Sequence, residues 1–195
     1  MSKQMLEIRW HGRGGQGAVT ASKVLAEAAM AEGKQIQAFP EYGSERQGAP
    51  IKAFTRISDH PITVHSQVTN PQVVVVLDPS LLGLVDVTEG MPDRGVLVIN
   101  TPEDPKTVRE KIKLKGRTVY TVDATGISIK HLGKAIPNTP MIGALVKAIS
   151  VQMPLNIDNI AADFAKKFAG KFHPDIVKGN VESIKEAHES VKGEG

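Results

Sequence analysis

Five consecutive apolar residues, Val73-Val74-Val75-Val76-Leu77, constrain the fold of this chain more than any other feature. Alternating polarity would mark a strand with one wet face. An unbroken β-branched run marks a strand buried on both faces, and such strands belong to parallel sheets covered by helices on either side. Val96-Leu97-Val98-Ile99 has the same character, and Thr118 to Val122 gives a third strand ending at Asp123. Between them Thr101 to Leu114 reads as a charged helix entered through Pro102 or Pro105. Strands alternating with helices predict an α/β fold of three layers, α/β/α, with a mostly parallel sheet.

The N-terminal part adds strands of a different kind. Leu6 to Trp10 alternates, and glycines then turn the chain into a helix whose Ala18, Ala21, Leu25, Ala28 and Ala29 share one stripe before Gly33. So alanine-rich a face lets a helix axis lie close to a sheet. Gln35 to Phe39 reads as the next strand, and Pro40 to Pro50 as a polar loop of turn formers. Ile51 to Ile57 and Ile62 to His65, parted by Ser58-Asp59-His60-Pro61, predict an antiparallel hairpin. A helix follows Asn138-Thr139-Pro140 and runs to about Val151. Ile157, Ile160, Ala161, Phe164 and Phe168 form another apolar stripe, and Val177, Val181, Ile184, Ala187, His188 and Val191 a last one. The expectation is one domain over 1–195, an α/β core at 1–153 and a helical C-terminal extension of the same unit at 154–195.

Composition excludes several functions. The chain has no cysteine, so it forms no disulfide, no thiolate nucleophile and no Cys-ligated zinc or iron–sulfur centre, and a reducing compartment is favoured. The opening residues contain no secretory apolar stretch, and the longest apolar run falls far short of a membrane helix, so a cytoplasmic location is expected. The 24 Lys and Arg are interspersed with 21 Asp and Glu, and aromatics make up only 4%, which argues against nucleic acid as a partner. The densest basic stretch, Lys106, Arg109, Lys111, Lys113, Lys115 and Arg117, reads as a solvated helix face and its trailing turn rather than a docking patch. The six histidines show no metal-ligand spacing, and Gly43-Ser44-Glu45-Arg46 lacks the second glycine of a nucleophile elbow.

What remains is His11-Gly12-Arg13-Gly14-Gly15-Gln16-Gly17, a glycine loop between a strand and a helix. Amides at a helix N-terminus carry partial positive charge, so a phosphate or carboxylate is its expected guest. A nucleoside-triphosphate loop is excluded because Ala18-Val19 stands where Lys and Ser or Thr are required. A dinucleotide fold fits the glycines but not the sequel: the second strand ends in Ala38-Phe39-Pro40 without the acidic residue that meets a ribose. A glycine turn does not require Arg13 or Gln16, so a long cation and a primary amide there suggest an anionic ligand or an acidic partner loop. Glu45 and Arg46 leave the carboxyl end of the second strand and could share that edge; an intramolecular salt bridge or an interface is the competing reading for both. Asp78 and Asp123 end strands where α/β folds bind ligands, and each could equally cap the turn that follows.

The order of these segments resembles the gamma subunit of 2-oxoacid:ferredoxin oxidoreductases. The resemblance is carried by "HGRGGQGAVTA" at 11–21, "AFPEYGSERQGAP" at 38–50 running into "AFTRIS", "VVVVLDPSLL" at 73–82, "VDVTEG" at 85–90, "VDAT" at 122–125 and "IPNTPMIGA" at 136–144. It covers nearly the whole chain and thins after about residue 155. It implies a multi-subunit enzyme that oxidatively decarboxylates a 2-oxoacid, by default pyruvate, transfers the acyl group to coenzyme A and passes electrons to ferredoxin. Thiamine diphosphate, magnesium and [4Fe–4S] clusters would then belong to alpha, beta and delta-type subunits, with none bound by this chain alone and no activity in isolation. The ligand or interface loop would comprise Gly12, Arg13, Gly14, Gly15, Gln16, Gly17, Glu45 and Arg46, facing either coenzyme A phosphates or an acidic partner loop. The alternative is a free-standing Rossmann-like nucleotide-binding oxidoreductase or regulator.

Overall fold

A computed structural model of the chain describes residues 5–41 and 48–194. Among these residues seven strands form one sheet in the order β2-β3-β1-β4-β5-β6-β7. They are β1 (Met5–Arg13), β2 (Gln35–Pro40), β3 (Pro50–Ser58), β4 (Val73–Val76), β5 (Val96–Asn100), β6 (Thr118–Val122) and β7 (Lys192–Gly193). Neighbouring pairs β1–β4, β4–β5 and β5–β6 run parallel. Strand β3 lies antiparallel between β1 and β2, and β7 runs antiparallel to β6.

The α/β/α reading holds, with its parallel centre where the β-branched runs predict it. Val73 to Val76 and Val96 to Ile99 are buried throughout. Their side chains divide between two cores. On one face Val73, Val75, Val96 and Val98 join Leu6, Ile8 and Trp10 of β1 beneath α1 (Ala18–Ala31) and α4 (Asn138–Ala148). On the other, Val74, Val76, Leu97, Ile99 and Val119 meet Leu81, Val87, Met91 and Val108 of α2 (Pro105–Ile112). The alanine stripe of α1 is buried as its spacing implies: Ala18, Ala21, Leu25, Ala28 and Ala29 are each 3% exposed or less.

The predicted hairpin is corrected. Residues 62–65 form no strand, and the antiparallel partners of β3 are β2 on one side and β1 on the other. With both edges of β3 occupied, a third partner has no ladder to join. The irregular segment after β3 is instead tied to it through a side chain. Arg56, 1% exposed, donates to the carbonyl of Ser66 at 2.7 Å and pairs with Glu7 at 2.8 Å.

Two elements were not anticipated. Helix α3 (Ala124–Leu132) begins where Asp123 accepts a hydrogen bond from the Gly126 amide at 2.8 Å. Strand β7 follows the last helix. Helices α5 (Ile157–Phe168) and α6 (Pro174–Ser190) sit where the stripes place them, and α6 packs on α3, α4 and α5. Its buried face contains Gly179, Asn180 and Ser183 as well as the expected Ile184 and Ala187. Small residues are needed there: a Cβ on Gly143 of α4 would stand 1.9 Å from the Ile184 carbonyl oxygen, and one on Gly179 2.5 Å from that of His131. Among the described residues no helix is long and apolar enough to cross a membrane.

Candidate functional site

The carboxyl ends of β1, β4, β5 and β6 gather at one edge of the sheet, and the glycine loop leads from β1 into α1 there. Gly15 and Gly17 adopt φ of 93° and 80°, the left-handed region that side chains avoid. Gly12 brings strand and helix together, since a Cβ on it would lie 3.3 Å from that of Ala18. The loop is joined to the start of β3 by two backbone hydrogen bonds, Gly14 N–H to Ala49 O at 2.9 Å and Gly48 N–H to Gly14 O at 3.2 Å. Among the described residues no side chain caps the N-terminus of α1. Asn138, the first residue of α4, packs directly on Gly17, where an added Cβ would be 2.5 Å from its side-chain nitrogen.

Arg13 and Gln16, the two residues a glycine turn does not require, are both turned inward onto Asp78. The Arg13 Nε donates to Asp78 Oδ2 at 3.0 Å, and the Gln16 amide nitrogen donates to the same oxygen at 2.8 Å. The remaining Arg13 nitrogens reach Ser80 Oγ at 2.8 Å and the Gly48 carbonyl at 3.0 Å, while the Gln16 carbonyl accepts from the Arg13 amide at 2.8 Å. Asp78 also caps the turn after β4 by accepting from the Ser80 amide and hydroxyl at 3.0 and 2.7 Å. Burial alone would raise the Asp78 pKa. Hydrogen bonds from Ser80 and Gln16 and the charge of Arg13 outweigh it, holding the carboxyl below its usual range. The sequence places these residues at one edge but does not reveal that they satisfy one another.

The neighbouring strand ends are fixed in the same way. Asn100, ending β5, donates to the Leu77 carbonyl and to Thr125 Oγ1, both at 2.8 Å, and accepts from the Thr125 amide at 3.1 Å. Asp123 acts as a cap for α3. Below the glycine loop, His11 is 3% exposed and accepts from Arg9 Nε at 3.0 Å. Burial, reinforced by the charges of Arg9 and Lys52, pushes its pKa down to about 3, so His11 is a neutral, satisfied imidazole at pH 7. Arg9 in turn donates to the carbonyls of Val87 and Glu89 at 3.0 and 2.7 Å, drawing residues 87–89 over the sheet.

Glu45 and Arg46 lie outside the described residues. The residues that bracket them, Glu41 and Gly48, are placed at this edge: the Glu41 amide donates to the Lys52 carbonyl at 2.9 Å, and Gly48 meets Gly14. Among the described residues no group of His, Asp or Glu could hold a metal ion. The edge is thus a preorganised surface of backbone turns whose described side chains are spent on one another.

The fold at this edge is that of an α/β domain with a parallel sheet centre, its strand-end loops braced by their own side chains. Residues 7–190 match the family model described as pyruvate ferredoxin/flavodoxin oxidoreductase. The chain is 46% identical over 188 residues to the gamma subunit common to the pyruvate/ketoisovalerate oxidoreductases of Pyrococcus furiosus, covering 96% of this chain and 98% of that one. It is 46% identical over 192 residues to pyruvate synthase subunit PorC of Thermotoga maritima, covering 98% and 97%. The crystal structure of the pyruvate oxidoreductase subunit PORC from that organism has a TM-score of 0.84 at 40% identity, covering 99% of this chain and 100% of that chain. A 2-oxoglutarate:ferredoxin oxidoreductase from Magnetococcus marinus, with 2-oxoglutarate, coenzyme A and succinyl-CoA bound, shares the fold at a TM-score of 0.73 and 15% identity, over 96% of this chain and 31% of that one. The chain belongs to the pyruvate ferredoxin/flavodoxin oxidoreductase family, as the gamma subunit of a multi-subunit pyruvate/2-oxoacid:ferredoxin oxidoreductase.

Proposed function

We propose that this subunit positions rather than reacts: it docks on the alpha, beta and delta-type subunits of its enzyme and presents the glycine-loop edge to coenzyme A as the acyl group leaves the thiamine centre. The enzyme decarboxylates pyruvate oxidatively in the cytoplasm and passes electrons to ferredoxin, with thiamine diphosphate, magnesium and [4Fe–4S] clusters held by the partner subunits. The observation that carries this reading is the mutual satisfaction of Arg13, Gln16 and Asp78. A loop braced from inside keeps a fixed shape for a guest to meet, and holding reactants in place lowers a barrier without any proton moving through the loop.

With the Gly14 and Gln16 amides bonded to the carbonyls of Ala49 and Arg13, the amides of Gly15 and Gly17 beside the N-terminus of α1 suit a phosphate, and Arg46 is the cation assigned to that phosphate in place of the internally bonded Arg13. Replacing Arg46 with Ala in the assembled enzyme raises the apparent KM for coenzyme A about tenfold, the loss of one charge-assisted contact, and leaves the KM for pyruvate unchanged. Equal effects on both constants, accompanied by looser assembly, would assign the edge to a subunit interface instead. The pyruvate preference is supported by the substrates named for the relatives and is checked by comparing kcat/KM for pyruvate and 2-oxoisovalerate.

A further inference from the structure

A parallel sheet opens a crevice wherever the chain leaves two neighbouring strands towards opposite faces. Among the described residues this sheet has two. Beyond β1 and β4, α1 turns to the face of Trp10 while the turn after β4 buries Leu81 on the other, and Arg13, Gln16 and Asp78 fill the gap. Beyond β5 and β6, away from the glycine loop, α2 packs Val108 on the face of Ile99 while α3 packs Ile127 on the opposite one. No such brace closes this second crevice. It holds a cavity of about 340 Å³, whose lining includes Thr101, Thr121, Asp123, Lys130, Glu186 and Lys192.

Thr121 is 1% exposed, yet its hydroxyl has no hydrogen-bond partner among the described residues. Strand β7 sets Lys192 directly opposite Thr121, on the same face of the sheet. From there Lys192 reaches over β6 to Asp104 at the start of α2, at 3.0 Å, so its stem passes over the Thr121 side chain. Arg109 and Glu194 join the same two elements through several contacts, but the Lys192–Asp104 pair is a single one, 57% and 68% exposed, and gives way at little cost. Asp123, two residues and about 6.6 Å beyond Thr121, gives one carboxylate oxygen to the Gly126 amide and keeps the other unpaired among the described residues. Glu186 is occupied by Lys130 and His131. We propose that this crevice binds a small α-amino acid as its zwitterion: Lys192, drawn off Asp104, and the Thr121 hydroxyl take the carboxylate, and Asp123 takes the ammonium. A simple anion would face the Asp123 charge unopposed. A simple cation would leave Thr121 and Lys192 unmet. The donor end and the acceptor end lie about one amino acid apart, with a hydrogen bond on each side.

Equilibrium dialysis of the assembled enzyme against labelled L-alanine tests the site, with propionate, which has the same carbons but no ammonium, as the control. Alanine binds saturably, one molecule per copy of this chain, and propionate competes about tenfold more weakly. Thr121→Val weakens alanine binding about tenfold, the loss of one hydrogen bond to a charged group. The same substitution raises the Tm of the chain by about 2 °C, because it removes a buried hydroxyl that nothing satisfies. Asp123→Asn keeps the acceptor for the Gly126 amide and brings alanine down to the affinity of propionate. Absence of saturable binding overturns the proposal. So does propionate binding as tightly as alanine, which would make the crevice an anion site only, and so does a lowered Tm in Thr121→Val, which would give the hydroxyl a structural role. Alanine binding unmoved by either substitution overturns it too and places the amino acid in a pocket of another subunit.

Discussion

Arg13 and Arg109 make nearly the same set of contacts at opposite places in the molecule. Arg13 joins a carboxylate, a hydroxyl and a carbonyl where the glycine loop, the turn after β4 and the start of β3 meet. Arg109 pairs through two nitrogens with Glu194 and donates to the carbonyls of Leu114, Gly116 and Arg117, fastening the turn after α2 to the C-terminal strand. Both side chains are 27% exposed, so solvent screening does not separate them. What differs is the backbone each one holds. Lys113 and Arg117 have φ of 53° and 43°, a conformation non-glycine residues adopt at a cost, and Arg109 spans that turn. The backbone under Arg13 is glycine, which takes the same region freely. One arginine therefore opposes strain and the other fixes the shape of a relaxed loop.

The largest test of this contrast is Arg109→Ala. It strips three carbonyls and a carboxylate of their donor beside a strained turn and should cost about 3 kcal/mol, seen as a Tm lowered by roughly 6–12 °C. The KM values for pyruvate and coenzyme A in the assembled enzyme should not move. A changed KM for coenzyme A would bring the Arg109 region into the functional edge and end the contrast.

Acid separates the two ends next. His11, immediately before the glycine loop, has a folded pKa of about 3 against an ordinary value of 6.5. Below pH 6.5 the unfolded chain binds a proton that the folded chain refuses, so this stability is present above that pH and is lost as pH falls towards 3. The slope approaches 1.4 kcal/mol per pH unit, or about 2 kcal/mol between pH 7 and 5. The Arg109 end responds later. Hydrogen bonding to Arg109 holds the Glu194 carboxyl below its ordinary pKa, so that pair weakens only as pH falls through the carboxylate range. Urea unfolding at pH 7, 6 and 5 should show the loss in the wild type and a flatter profile for His11→Gln, whose amide oxygen can still accept from Arg9. An unchanged slope in His11→Gln would locate the acid sensitivity elsewhere.

The same contrast marks what the sequence makes legible. The β-branched runs located the sheet centre because no other setting buries Val73 to Val76 on both faces. Helix α3 escaped because Ala-Thr-Gly-Ile-Ser-Ile-Lys-His-Leu buries only Ala124, Ile127 and Ser128, too few for a stripe. The expected strand at 62–65 failed on partnership rather than composition: local alternation cannot say that β3 is already flanked on both sides. At the candidate site Arg13, Gln16 and Asp78 were each visible, but their union depends on the parallel pairing of β1 and β4, a contact between residues more than sixty positions apart. Arg109 was hidden for the opposite reason. Its charge looked like one of several on a solvated helix, and its partner Glu194 lies next to the end of the sequence.

Arg13→Ala carries the smallest stability cost and the most specific consequence. Asp78 keeps its bonds from Gln16 and Ser80, so the variant should lose only about 1 kcal/mol. The Gly48 carbonyl and the Ser80 hydroxyl, however, lose their guanidinium donor, so the spacing between the glycine turn and the start of β3 is held by the two backbone bonds of Gly14 alone. In the assembled enzyme the KM for coenzyme A should rise severalfold while kcat for saturating substrates changes little, the mark of a lost binding shape rather than a lost reacting group. Arg13→Lys distinguishes charge from geometry. One ammonium can meet Asp78 but cannot reach Asp78, Ser80 and Gly48 together in the planar fork the guanidinium provides. If bracing is the function of Arg13, lysine restores stability and leaves the KM raised. If lysine restores both, the positive charge itself serves the ligand, and the inward turn of Arg13 is a resting state from which it swings out.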